Sequence, residues 1–337
     1  MRTSPFLIRS GTLALVGGLI LGQPGAAMGF GLTGAASDYN LFLFENLYQR
    51  GGDVEGRAAV GGNASLTSVG IADRLPSSNG SDTHFVVGGD LTIQNSGIFG
   101  GNANVGGTVT GDVYFNNCQG CQVTSDDLID FEAARNHYQN LSQTLFNLET
   151  TGTTSLNPHS KQLRFTGNNT GTNVFNVSLS EAREIFLDAP SSSDLVVINV
   201  TDETFAPNWF GSLFHEEANA DSSKWQNVIW NFANATTIDF SFSWRGTVLA
   251  PNADISLRNG NIEGQVIANS ARLDVWSGEF HNYEFTGTLP PSGSTPDDPS
   301  TPPLRREIPE PTMILGLLAV GAMGLVKRRN TLEQPQG

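Results

Sequence analysis

Val60-Gly61-Gly62-Asn63-Ala64 is a short phrase that returns as Val87-Gly88-Gly89-Asp90-Leu91, Phe99-Gly100-Gly101-Asn102-Ala103 and Val105-Gly106-Gly107-Thr108-Val109. Each copy joins an apolar residue, a two-glycine bend and a resumed alternating run such as Leu91-Thr92-Ile93. Glycine pairs permit the positive φ of a tight corner. Very short strands between glycine corners predict coils of a β-solenoid, each burying its apolar face against the next. The pairs start at 61, 88, 100 and 106, without one fixed period. The rival is a β-sandwich, whose strands would be longer and whose turns would more often be Asn-Gly.

The same texture returns in the second half. Leu195 to Val200 and Val228 to Phe232 read as buried strands, and Ile238, Phe240, Phe242 and Trp244 alternate onto one face. Trp244-Arg245-Gly246-Thr247-Val248-Leu249-Ala250-Pro251 and Gly264-Gln265-Val266-Ile267-Ala268 read as further coils. Between the halves, apolar residues at 128, 131, 134, 138, 141, 145 and 148 fall on one helical stripe. The spacing predicts a long amphipathic helix over 124–148, opened by a Thr124/Asp127 capping box and packed alongside the β body. A second, shorter helix is expected over Ser180 to Leu187, with Ser178 and Glu181 as its box.

The chain ends are addresses rather than fold. Arg2 and Arg9 precede an uncharged stretch from Ser10 to Leu21 and small residues to Ala27. This is the layout of a secretory signal peptide over 1–27. The mainly β domain is expected over 30–288, followed by a Pro/Ser/Thr-rich linker over 289–307 that cannot order itself. Ile308-Pro309-Glu310-Pro311-Thr312 then leads into an uncharged apolar run closed by Lys327, Arg328 and Arg329. Pro309 and Pro311 keep Glu310 extended. The run from Thr312 to Val326 would span roughly 22 Å as a helix, short of a hydrocarbon core of roughly 30 Å. The basic triplet holds its far end on the cytoplasmic side. This segment, 308–330, resembles the PEP-CTERM sorting tail of Gram-negative bacteria. The resemblance implies processing by an exosortase, transient inner-membrane anchoring, and delivery to the cell surface or extracellular matrix. An ordinary C-terminal membrane anchor is the alternative.

The formal charge is -15, and the basic residues of the two ends lie outside the body. An acidic exported body repels nucleic acid, which is excluded as a partner. Cys118 and Cys121 have the spacing of a small-loop disulfide in an exported chain, with a redox motif or half a zinc site as alternatives. There is no Gly-x-Ser-x-Gly elbow and no phosphate-binding loop. His215 has Glu216 and Glu217 beside it, but lacks the second histidine of a zinc-protease helix. No catalytic residue is assigned, and the chain is not expected to be an enzyme. Asp38, Asp53, Glu55 and Asp90 lie near glycine corners and could bind Ca2+ if they converge; no metal site is assigned. Trp230 and Trp244 are expected in the core. Trp209 and Trp276, beside turn residues, are the candidates for contact with a ligand.

The body resembles the choice-of-anchor A family, an adhesive module of bacterial surface proteins. Phe42 to Leu47, the Val-Gly-Gly phrases, the helix after Asp126, and the two phrases beginning at Gly246 and Gly264 carry the resemblance. It implies a role in matrix or surface adhesion, with extracellular polysaccharide or matrix proteins as partners. No catalytic residues are carried over from the family. A polysaccharide-active enzyme on a β-solenoid and a structural matrix protein without a specific ligand are the other readings. Ice-binding solenoids are also similar in having a helix beside β coils, but no regular Thr-x-Thr ladder is present.

Overall fold

The computed structural model describes residues 32–126, 129–167, 171–188, 195–207, 214, 225–274 and 278–290. Strands Leu41–Leu43, Leu47–Arg50 and Asp53–Val54 make one coil of the chain, and Ala58–Val60, Ala64–Thr67 and Gly70–Ile71 make the next. The corresponding strands pair in parallel: Leu41 with Ala58, Leu47 with Ala64, and Val54 with Ile71. Two further coils begin at Thr83 and Asn102 and continue the same register, Ala64 to Leu91 to Val109 and Ile71 to Ile98 to Phe115. The chain is therefore a mainly β, solenoid-like stack with three faces. The β-sandwich alternative fails because the sheets are built by parallel coiling. Thr153–Leu156 with Gln162–Thr166 is the antiparallel pair among the described strands.

The glycine phrases explain the close stacking. A methyl group on Gly61 would overlap the Phe44 carbonyl oxygen; one on Gly88 would overlap that of Gly61, and one on Gly106 that of Gly88. The first glycine thus lets one corner sit on the backbone of the last. The second glycine (62, 89 or 107) leaves space for the side-chain oxygen of Asn46, Asn63 or Asp90 in the preceding coil. The fourth phrase belongs elsewhere. Gly100 turns a different corner with φ 69°, and Gly101 lies against the His84 ring.

The stacking order is not the chain order. Strands Thr172–Val177, Leu195–Val200, Val228–Asn231, Thr247–Leu257 and Val266–Leu273 stack in parallel as the second half. The last of these pairs with the first coil, Val266 with Leu41 and Ala271 with Leu47. Phe280 likewise pairs with Val54. The first coil therefore lies inside the stack. Small aliphatic side chains such as Ala58, Val60, Ala64 and Ala103 fill the N-terminal coils, whereas Phe165, Phe175, Trp230, Phe240 and Trp244 fill the C-terminal ones. The Trp230 and Trp244 rings lie 4.8 Å apart, edge to face, and both are buried as expected.

The helix is Phe131–Phe146, shorter than the spacing predicts. Asp130 caps it by accepting the Ala133 amide at 2.9 Å. Thr124, the expected cap, instead pairs with Asn104 in the strand Val123–Thr124, so its backbone is already satisfied by the sheet. Tyr138, Leu141 and Leu145 pack against Phe42, Phe44, Ala59, Val197, Ile229 and Ile267. These residues project outward from the first face, which the helix covers. The helix expected over Ser180 to Leu187 is absent: a turn, in which the Ala182 amide donates to Leu179, leads into strand Glu184–Asp188. Pairing with Gln162–Thr166 buries Ile185 and overrides the capping pattern. Among the described residues, no helix is long and apolar enough to cross a membrane.

Candidate binding face

The second face carries strands Leu47–Arg50, Ala64–Thr67, Leu91–Gln94, Val109–Thr110 and the end of Val266–Leu273. In each strand alternate residues point inward, as Leu47, Ala64, Leu66, Leu91, Ile93 and Leu273 do. The intervening positions stack into outward columns, one residue per coil at about 4.8 Å. The middle column runs Asp239, Ser256, Arg272, Tyr48, Ser65, Thr92 and Thr110. A second column lies along the corner. It begins Thr204, Thr237, Asp254 and Ser270, and Asn46, Asn63, Asp90 and Thr108 follow it, each one residue before a paired strand.

The corner column is tied from coil to coil. Asn63 and Asp90 donate their amides to Asn46 Oδ1 and Asn63 Oδ1, each at 2.8 Å. Thr108 donates to Asp90 Oδ1 at 2.7 Å. Further along, Asp254 Oδ1 accepts from Ser270 Oγ and Asn269 Nδ2, both at 2.7 Å. These bonds fix the polar side chains before any partner arrives.

Arg272 and Tyr48 form the raised part of the face. The guanidinium binds Asp274 through two nitrogens, at 2.7 and 3.0 Å, which fixes its orientation. Its Cζ lies 4.2 Å from the Tyr48 ring centroid, so the ring carries a cation on one side. Ser65 is the next residue in the column and is too short to cover the other side. A trough of about 560 Å³ runs along the stack between the two columns, lined by Ser270, Asn46, Asn63 and Asp90 on the corner side and by Arg272, Tyr48, Ser65 and Thr92 on the other.

The third face is acidic. Burial raises the Asp53 carboxyl above its ordinary range, and the charge of Glu279 adds to this; its Oδ1 accepts from the Gly70 amide at 3.0 Å. Burial, with the charge of Asp53, raises Asp73 as well, and Asp73 Oδ1 is buried without a hydrogen-bond partner. His281 Nε2 lies 3.1 Å from Glu279 Oε2. The carboxylates considered for Ca2+ do not form one set. Asp53 and Glu55 flank Val54 on this face, Asp90 lies on the second face, and Asp38 precedes the first coil. Among the described residues, no group of three or more His, Cys, Asp or Glu is arranged to hold a metal ion.

Cys118 and Cys121 are joined as a disulfide, with Cα atoms 5.7 Å apart. Trp209, Trp276, His215 and the sorting residues Pro309, Glu310, Pro311, Lys327, Arg328 and Arg329 lie outside the described residues. Sequence reading missed Tyr48, Ser65, Thr92 and Arg272. The alternation around each marked it as outward, but only the register shows them to be neighbours. A family model described as "Putative Ice-binding-like adhesive domain" matches residues 32–282. No curated protein and no solved structure matches the chain.

Proposed function

The chain belongs to the family of ice-binding-like adhesive domains, and on that premise we propose that it is an exported adhesin of the cell surface or extracellular matrix. The observation that carries this reading is the family match across residues 32–282. The second face supports it: its corner column is fixed coil to coil, and it is broad enough for many simultaneous contacts. Matrix polysaccharide or matrix protein is the partner, and no catalytic step is assigned. The same proposal extends to delivery. The signal segment over 1–27 directs export, an exosortase cuts at Pro309-Glu310-Pro311, and the linker over 289–307 separates the body from the tail.

Two measurements test it. Purified protein is expected to adhere to extracellular matrix prepared from the producing cells, and absence of adhesion overturns the adhesive reading. Intact mass and fractionation of the native protein test delivery. The wild type is expected to lack Met313 to Gly337 and to be found in the matrix, while Pro309→Ala/Pro311→Ala stays uncut in the membrane. A full-length wild type, unaffected by the substitutions, would overturn exosortase processing while leaving adhesion to be judged on its own assay.

A further inference from the structure

We infer that the trough of the second face takes a neutral, hydroxyl-rich polysaccharide chain, with Tyr48 and Arg272 as its wall and the column hydroxyls and amides as its floor. The inference rests on the adhesive reading above and names the ligand class of that face. Three observations carry it.

The first is charge. Asp90 and Arg272 are the charged residues among those lining the trough, and both are committed: Asp90 to the Thr108 amide, Arg272 to Asp274 and the Tyr48 ring. A polyanion would meet Asp90 on a chain of net charge -15. A polycation would meet one carboxylate, Asp90, already bonded through Oδ1, together with the Arg272 cation in the same lining. A neutral chain disturbs neither.

The second is relief. Tyr48 and Arg272 rise above Ser65 in the same column, so the face is a trough rather than a plane. A rigid flat lattice such as ice would bridge over Ser65 without touching it. A flexible chain one ring thick can lie in the trough, between the corner column and the flank formed by Arg272 and Tyr48.

The third is repetition. Tyr48, Ser65, Thr92 and Thr110 occupy consecutive coils, and span roughly 14 Å at one strand spacing per coil. Ser65, Thr92 and Thr110 each present a hydroxyl that donates and accepts, as the hydroxyls of a glycan require. The chain therefore runs across the strands, along the stacking axis.

The test is affinity electrophoresis of the purified protein in dextran, in a soluble β-glucan and in the polyanion alginate, with an ice-recrystallisation assay alongside. Retardation by at least one neutral glycan, unchanged by added salt, is expected. Tyr48→Ala, which removes the wall, and Ser65→Tyr, which fills the trough, should each weaken binding about tenfold or more at unchanged melting temperature. Thr92→Tyr, at an exposed position, decides the matter if either variant melts early. No retardation by either neutral glycan, retardation by alginate alone, ice activity without glycan binding, or a folded Ser65→Tyr that binds like wild type would overturn the inference. Adhesion to producing-cell matrix by a protein that passes through both neutral glycans would remove this ligand class and keep the adhesive reading. Loss of matrix adhesion altogether would remove both.

Discussion

Ser142 and Asn231 hold each other through two hydrogen bonds: Ser142 Oγ donates to Asn231 Oδ1 at 2.6 Å, and Asn231 Nδ2 donates to the Ser142 carbonyl at 2.8 Å. The same amide nitrogen donates to Asn199 Oδ1 at 2.8 Å, and Asn199 Nδ2 donates to the Leu145 carbonyl at 2.9 Å. All three side chains are buried. The helix is thus joined to the first face by a closed polar network as well as by apolar packing.

Breaking that network should be costly, because the groups left behind are buried and unsatisfied. Asn231→Ala is expected to lower unfolding stability by about 3 kcal/mol. Adding Ser142→Ala should then cost less than it does alone, since its partner is already gone. Chemical denaturation of the two single variants and the double variant measures the coupling; strict additivity would show that the bonds contribute independently.

The corner glycines make a sharper prediction. Gly88→Ala sets a methyl against the Gly61 carbonyl oxygen, and should destabilise by about 1–3 kcal/mol through forced separation of the coils. Gly171→Ala, where nothing lies within 4 Å of the added atom, should stay within about 0.5 kcal/mol of wild type. Thermal melts of both variants distinguish stacking from a general loss of glycine flexibility.

Tyr138 fastens the segment before the first coil. Its hydroxyl donates to the Thr33 carbonyl at 2.8 Å and accepts the Ala36 amide at 2.9 Å. Burial pushes its pKa up to about 12. Tyr138→Phe should cost about 1–2 kcal/mol by leaving both partners unmet. Hydrogen exchange should accelerate at Ala36 while the strand Ala58–Val60 stays protected; equal acceleration at both would mean that the whole fold loosens.

Stability should rise as the pH falls from neutral into the mildly acid range. Asp53 and Asp73 have raised folded pKa values, chiefly through burial. Their protonation therefore favours the folded state, and that stability is lost as pH rises through the raised values. Asp82 opposes this. Burial pushes against its charged form, but the Arg57 hydrogen bond and charge hold it below its ordinary value. Its contribution is lost as pH falls through about 3.9, where the unfolded carboxyl is half protonated, toward its lower folded value. Denaturation midpoints should therefore peak between these limits, and Asp73→Asn should raise stability at neutral pH and flatten the acid rise. A midpoint that falls steadily from pH 7 downward would contradict the assignment.

The corner phrases made the solenoid legible because two adjacent glycines have a physical job in each of the three coils that follow the first, one clearing backbone and the other clearing an Asn or Asp oxygen. The apolar stripe made the helix legible but not its start, since Thr124 could serve equally as a cap or in a strand. Ser178 and Glu181 misled for a related reason: the pairing of Glu184–Asp188 with Gln162–Thr166 is remote in sequence and outweighs a local cap. The candidate face was the least legible. Tyr48 and Arg272 touch only because the end of the second half docks on the first coil. The coils differ in length, with the chain between Ile71 and Thr83 enlarging one of them, so no fixed period reveals the columns.

The interior position of the first coil also sets an order of events for a chain made from its N-terminus. Leu41–Leu43 and Leu47–Arg50 emerge early, yet one edge of each waits for Val266–Leu273. Until those residues arrive, the nascent molecule presents open strand edges, the kind of surface that recruits other chains. Completion is thereby made a checkpoint: a product truncated before Val266 keeps its edges open toward its own copies, and only a chain that includes Val266–Leu273 can close its seam.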